Sequence, residues 1–169
     1  SASAKAGAFS IFFVKEGDTV YTHKYTLLAR KQDAPVKGFT EADAIYLITP
    51  DRFANGDYAN DVVPPLKEYK VDRKASFARH GGDLRGMINQ LDYIQKMGFT
   101  AIWPTPVLEN DMARHSYHGY AITNHYRVDP RFGTLDDYKE LATKASQKGI
   151  KLVFDAVLNH TGTGHWWMA

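Results

Sequence analysis

From Ala44 onward the chain alternates between short apolar runs of strand length and stretches of helical periodicity, and this alternation restricts the fold class to α/β. Ala44-Ile45-Tyr46-Leu47-Ile48-Thr49 is a near-continuous apolar run, the pattern of a strand buried on both faces of a parallel sheet. Leu84, Met87, Ile88, Leu91, Ile94 and Met97 recur at helical spacing, and Gly98 stands where a C-terminal cap belongs. Phe99 to Trp103 reads as a second strand. Thr134 and Asp137 have capping-box spacing at the start of a second helix, with an apolar face of Leu135, Tyr138, Leu141, Ala142 and Ala145. Gly149 ends that helix, and Ile150 to Leu158 is the third strand. The order β-α-β-α-β with short helix-to-strand turns predicts a parallel sheet with right-handed crossovers.

The strand-to-helix connections, Pro50 to Asp83 and Pro104 to Gly133, are far longer than the turns that return to the sheet. Loops of that length inside a compact domain are usually functional. Both leave the C-terminal ends of parallel strands, the edge that carries active sites in α/β barrels and open doubly wound sheets alike. A (β/α)8 barrel takes about 250 residues, whereas this chain has 169 and passes three strands. The expectation is an incomplete TIM barrel over residues 39–169, truncated after its third strand. Ahead of it, Phe9 to Val14 and Val20 to Leu28 read as two strands turning at Glu16-Gly17-Asp18. Arg30 to Gly38 reads as a polar connector. A lone hairpin is marginal in water, so this one is expected to pack on something.

Composition removes several function classes. The net charge of +2 lacks the concentrated basic patch of a nucleic-acid binder. The absence of cysteine excludes disulfide scaffolds, Cys-ligated zinc and thiol catalysis. No apolar run approaches the roughly 18 residues of a membrane span. Aromatic residues reach 13%, which raises the question of whether those rings fill a core or face a ligand.

Three segments carry chemistry. The first long loop opens Asp51-Arg52-Phe53-Ala54-Asn55-Gly56-Asp57 and continues to Asn60-Asp61. Its oxygen-rich side chains suit calcium, which takes six to eight hard ligands from flexible loops. Asn-Gly-Asp is equally good turn chemistry, and the segment is not an EF-hand. Gly81-Gly82-Asp83 opens the first helix with Asp83 as N-cap. The second loop holds His115, Tyr117, His118 and Tyr120, followed by His125 and Tyr126. Zinc would need a third ligand at a diagnostic spacing. Flat rings beside imidazoles also suit sugar recognition, since rings cover pyranose faces and imidazoles bond hydroxyls. Tyr126 and Phe132 are expected to pack within the loop. The third strand ends Phe154-Asp155-Ala156-Val157-Leu158-Asn159-His160. Asp155 interrupts an apolar strand, so a donor or cation from another strand is expected to meet it. Asn159-His160-Thr161 also fits a glycosylation acceptor, a reading disfavoured by its place at the barrel mouth.

Together these segments resemble the α-amylase family, the starch-acting retaining hydrolases of glycoside hydrolase family 13. Asp155-Ala156-Val157-Leu158-Asn159-His160 resembles the family's D-x-x-x-N-H signature at the end of strand 3. Tyr117-His118-Gly119-Tyr120 resembles the tyrosine-bearing loop after strand 2, and Trp103-Pro104-Thr105-Pro106 the W-x-x-P strand end, with Pro104 where relatives often carry Leu. The first loop with Gly81-Gly82-Asp83 is similar to the neopullulanase, cyclomaltodextrinase and maltogenic amylase subgroup. Val107-Leu108-Glu109-Asn110-Asp111 and Gly164-His165-Trp166-Trp167-Met168 resemble its Bacteroidetes-type members.

The resemblance implies a β-sandwich domain ending in the hairpin of residues 1–38. It implies a calcium ion on Asn55, Asp57, Asn60, Asp61, the Gly81 carbonyl and Asp83. It implies a −1 subsite in which Tyr120 stacks on the sugar, His160 and His118 bond hydroxyls, Asp155 holds an arginine and Asn159 braces the strand end. It implies retaining hydrolysis by two carboxylates. None of the three family carboxylates falls within these residues, because they follow strands 4, 5 and 7, so the fragment alone is expected to be inactive. The expected partners are α-glucan oligosaccharides such as cyclodextrins, pullulan or maltodextrins, with a homodimer of the parent open and no nucleic acid. A noncatalytic glucan-binding or transport-associated relative is the alternative. The bacterial periplasm and cytoplasm both fit.

Overall fold

The computed structural model describes residues 5–29 and 38–168. The chain divides after Phe39 into two compact units. In the first, β1 (Gly7–Lys15) and β2 (Asp18–Leu27) pair antiparallel, from Gly7 opposite Leu27 to Lys15 opposite Asp18, with a register shift at Phe13/Val14. Glu16 and Gly17 form the turn, both at positive φ (53° and 96°), the backbone that matches the twist of a tight hairpin. Asp18, predicted as part of the turn, is already in β2. Most of the Arg30 to Gly38 connector lies outside the described residues.

The second unit contains the predicted parallel sheet. β3 (Ile45–Ile48) leads through the short helix α1 (Pro50–Phe53) and a long loop to α2 (Leu84–Asn89) and α3 (Leu91–Lys96). β4 (Ala101–Pro104) follows, then a ribbon of β5 (Leu108–Glu109) and β6 (Asn124–Val128), then α4 (Leu135–Gln147) and β7 (Lys151–Leu152). The sheet order is β3-β4-β7, all parallel, with Ile45 opposite Ala101 and Ala101 opposite Lys151.

The core forms where the helices cover one face of this sheet. Leu84, Met87, Ile88, Leu91 and Ile94 from α2 and α3 meet Ile48, Ile102, Phe132, Leu141, Ala145 and Ile150, all buried. The predicted single helix from Leu84 is split where Gln90 leaves helical geometry (φ −101°, ψ 8°). Ile94 N–H still donates to Gln90 O at 3.0 Å, so the apolar stripe stays in phase. Thr134 and Asp137 form the reciprocal capping box of α4. Gly98 (φ 86°) and Gly149 (φ 73°) take the left-handed backbone that ends a helix. Arg85 spans the helix pair, donating to Asp137 at 2.7 Å and to both oxygens of Glu140.

Several expectations need correction. Among the described residues β3 is not buried on both faces: Ile45 is 45% and Leu47 55% exposed, because the helices described cover one side of the sheet. Leu135 and Met97 are exposed, although their spacing placed them in the core. The second long connection is not plain loop, since β5 and β6 pair within it. The third strand is two residues long, not nine. Its ladder runs from Lys151 N–H to Thr100 O and from Val153 N–H to Ile102 O, both 2.9 Å. The next rung needs an N–H from residue 104, and Pro104 has none.

Candidate functional site: the loops at the strand exits

The first loop is fastened from both ends by two aspartates. Asp51, fully buried, accepts His80 N–H (3.0 and 2.9 Å), Gly81 N–H (3.2 Å) and Arg52 Nη1 (2.7 Å). Asp83 Oδ1 caps α2 at Gly86 N–H (2.6 Å) and also accepts Gly56 N–H (3.1 Å). Asp83 Oδ2 accepts Asp57 N–H (2.8 Å) and Asn60 Nδ2 (3.3 Å). A Cβ on Gly86 would collide with the Ala54 carbonyl, and one on Gly56 with the Gly86 backbone. Glycine at both positions is thus what allows the loop to lie backbone to backbone on the first turn of α2.

Within this cradle the predicted metal ligands gather unevenly. Asn55 Nδ2 donates to Asp61 Oδ1 at 2.6 Å, and Gly81 (φ 85°) lies directly over the same oxygen. Asn55 Oδ1 and Asn60 Oδ1 are buried without a hydrogen-bond partner. Buried acceptors are normally satisfied, so two orphaned amide oxygens beside Asp61 and Asp83 fit a hard cation. Asp57 is exposed and uses Oδ1 to accept Ala59 N–H at 3.0 Å. Among the described residues no three His, Asp or Glu side chains converge as a metal group, so this set depends on its asparagines and the Gly81 carbonyl. The same finding leaves His115, His118 and His160 without the convergence that a zinc site requires.

At the exits of β4 and β7 the other predicted residues meet on Tyr120. The Tyr120 N–H donates to His118 Nδ1 (2.9 Å), its carbonyl faces His160 Nε2 (2.7 Å), and its hydroxyl donates to Asp155 Oδ2 (2.8 Å). A neutral imidazole has one donor and one acceptor. His118 therefore carries its proton on Nε2, and burial together with His115 lowers its pKa. His160 donates through Nε2, which leaves its Nδ1 as an acceptor. Burial first, then the Asp155 hydrogen bond, pushes the Tyr120 phenol up to about 12. The residue is 37% exposed, and its ring lies 6.0 Å from that of His118 in a stacked arrangement. Asn159 lines a cleft with His125, Val157, Leu158, His160, Thr161 and Trp167.

Trp103 was not singled out as a partner of Asp155, yet its Nε1–H donates to Asp155 Oδ2 at 2.9 Å. Asp155 itself is half-buried. The available signal was the carboxylate in an apolar strand, which requires a donor from a neighbouring strand, and β4 ends in a tryptophan. Tyr117 stacks under the Arg52 guanidinium (3.9 Å) rather than standing free. Phe132 is buried beneath Arg79, 4.8 Å from its ring centre. Tyr126, expected to pack in the loop, is 87% exposed.

Behind these loops lies a buried ionic pair. Arg131 donates to both oxygens of Asp129 (2.8 and 2.6 Å), to the Asn110 carbonyl (2.8 Å) and to the Glu68 carbonyl (2.7 Å). Burial raises the Asp129 pKa, but the hydrogen bond and charge of Arg131 outweigh it and hold the carboxylate below its ordinary range. The pair ties the ribbon to the loop around Glu68.

Parallel βαβαβ packing thus brings a clamped tyrosine and a D-x-x-x-N-H strand exit to the C-terminal edge of one sheet, the edge that carries active sites in α/β proteins. Residues 47–169 match the family described as alpha amylase, catalytic domain, and the chain belongs to that family, glycoside hydrolase family 13, whose catalytic domain is a TIM barrel. It is 46% identical over 119 residues to a beta/alpha-amylase of Paenibacillus polymyxa, covering 70% of this chain and 10% of that protein. It is 36% identical over 152 residues to neopullulanase 2 of Thermoactinomyces vulgaris, covering 89% of this chain and 25% of that protein. Among solved structures, an Anoxybacillus α-amylase superposes with a TM-score of 0.68 at 47% identity, over 75% of this chain and 26% of its own. The cyclic α-maltosyl-(1→6)-maltose hydrolase of Arthrobacter globiformis gives 0.64 at 39%, over 75% and 28%. The chain thus spans a quarter or less of the length of the curated relatives it matches first.

Proposed function

We propose that these residues are the first part of the catalytic barrel of an α-glucan hydrolase acting on cyclodextrins, pullulan or short maltodextrins, preceded by the end of a β-sandwich domain. The observation that carries this reading is the three-point clamp on Tyr120. A ring fixed at its backbone N–H, its carbonyl and its hydroxyl presents an apolar face at low entropic cost, as stacking on a pyranose requires. The second nitrogens of His118 and His160 are then the groups for sugar hydroxyls. Asp155 receives both donors on Oδ2, which leaves Oδ1 for the arginine that accompanies the family's nucleophile, while Asn159 braces the strand end. Relatives named neopullulanase and cyclomaltodextrinase support the substrate class.

Bond cleavage in this reading is a retaining double displacement by two carboxylates carried on later strands. The residues here bind and orient the sugar and supply neither nucleophile nor acid. Asn55, Asn60, Asp61, the Gly81 carbonyl and Asp83, with Asp57 at the rim, would hold a calcium ion. Its contribution there is to neutralise the carboxylates and cross-link the loop to α2. The test is to express the complete reading frame that contains these residues and follow reducing-sugar release from cyclodextrin, pullulan and maltodextrin, with the anomeric configuration read by NMR. Retained configuration on any of them is expected, and no cleavage of all three overturns the proposal. The 169-residue chain alone is expected to match a blank.

A further inference from the structure

The segment that leads into Tyr120 is held by the first loop residue by residue. His115 packs on Phe77, with ring centres 5.1 Å apart. Ser116 Oγ accepts Arg79 Nη1 at 3.3 Å. Tyr117 lies under the Arg52 guanidinium, which also donates to the carbonyls of Ser76 and Ala78, both at 2.8 Å. Both arginines face one buried carboxylate. Arg52 Nη1 donates to Asp51 Oδ2 at 2.7 Å, and Arg79 Nη2 stands 3.8 Å from Asp51 Oδ1.

Ser116 is the tightest point of this grip. It is fully buried. Its N–H donates to Glu68 Oε2 (2.7 Å), and its carbonyl accepts Asn110 Nδ2 (3.2 Å). It begins the one-turn helix Ser116–His118, bounded by His115 and Gly119, both left-handed (φ 59° and 84°). A Cβ on Gly119 would collide with the Pro106 carbonyl, so backbone closes the other side of the turn. A turn so short and so bounded moves as a unit, and His118 and Tyr120 move with Ser116.

Arg79 holds this serine at a desolvation cost. It is 2% exposed, and its Nη2 has no hydrogen-bond partner. Burial, and then the charge of Arg131, lower its pKa. A buried charge of this kind adds little stability over a hydrophobic residue of similar volume. Such a residue could not, however, donate to Ser116 Oγ while facing Asp51 with a charge.

We propose that Arg79 is a positioning residue of the sugar site, which through Ser116 sets the place of His118 and Tyr120. The assignment rests on the reading of Tyr120 as the sugar-facing ring and extends it to a residue that no sugar touches. Without Arg79 the ring is misplaced for a sugar that it meets in ground state and transition state alike, so the loss falls on KM.

The test compares the complete protein with its Arg79→Met, Ser116→Ala and double variants. Asp51 keeps Arg52 and the His80 and Gly81 N–H groups throughout, so no bare carboxylate is left. Losing a hydrogen bond to a charged group should raise KM for the cleaved glucan about tenfold in each single variant, with kcat little changed. The double variant should be no worse than Arg79→Met, because both changes break the same link. Hydrogen exchange read by mass spectrometry should show faster exchange over residues 116–120 and none over α4. Arg85→Met, which breaks the α2–α4 ion pairs instead, should leave KM and the 116–120 exchange at parent values. An unchanged KM with a lowered kcat marks lost folded protein alone and overturns the assignment. So does unchanged exchange over 116–120, or additive effects in the double variant. If the complete protein cleaves no glucan, the α-glucan reading fails and the exchange alone decides the role of Arg79.

Discussion

Tyr120 and Asp155, 35 residues apart in sequence, are joined by a 2.8 Å hydrogen bond from the phenol to Oδ2, and Trp103 Nε1 reaches the same oxygen at 2.9 Å. One carboxylate oxygen thus organises two rings from different elements. Asp155→Ala should release both, with a changed Trp103 emission and near-UV dichroism. Tyr120→Phe should keep the ring and remove one bond, at a cost of about 0.5–1.5 kcal/mol by urea titration. Equal effects of the two variants would contradict a shared acceptor.

The Asp129–Arg131 pair is buried, with side chains 0% and 1% exposed. Removing one partner leaves an uncompensated buried charge, so Asp129→Ala should destabilise by about 3–5 kcal/mol. The double variant Asp129→Leu/Arg131→Met should cost less than the single one. Urea melts of the three proteins give the comparison.

Asp43 is held at about 2 by Lys151 Nζ (2.6 Å), Thr40 N–H (2.8 Å) and the Thr100 hydroxyl (2.8 Å). A carboxylate with a depressed folded pKa stabilises above its ordinary value and loses that contribution as pH falls through the folded one. Asp43→Asn should therefore lower Tm at pH 7, and the gap to the parent chain should close between about pH 4 and pH 2. A gap that persists at pH 2 would show that the carboxylate charge is not its source.

Calcium in the first loop should raise Tm, since an ion that binds only the folded chain stabilises it, by about 2.7 kcal/mol at a hundredfold excess over Kd. Chelator should reverse the gain, and Asn55→Ala/Asp61→Ala should abolish it. A melt indifferent to both calcium and chelator would remove the ion from the proposal.

Gly86→Ala places a methyl group against the Ala54 carbonyl. Alanine is the better helix former, yet this change should destabilise by about 1–3 kcal/mol, because rigid backbone must move. Gly98→Ala meets open space but a φ of 86°, so its cost is backbone strain alone.

How far the sequence could be read depended on range. The capping box of Thr134 and Asp137 and the glycines after each helix were legible, since their chemistry is complete within a few residues. The need of Asp155 for a donor was legible as well, but its identity was not, because Trp103 and Tyr120 arrive through tertiary packing. In the first loop Asn55 and Asn60 were legible as candidate ligands, but not that packing would leave their side-chain oxygens without partners. Tyr126 was misplaced because local pattern does not fix which side of a ribbon faces solvent. The third strand was overestimated because apolar periodicity reports a strand's character, not its partner's supply of N–H groups.

That last error points to Pro104. By withholding one hydrogen, it unzips β4 from β7 at the level where the indole of Trp103 and the carboxylate of Asp155 come together. Beyond it no further rung joins the two strands among the described residues, and side chains make the contacts instead. The height at which Trp103 and Asp155 meet is in this sense set by an imino acid: it is the height at which the ladder runs out.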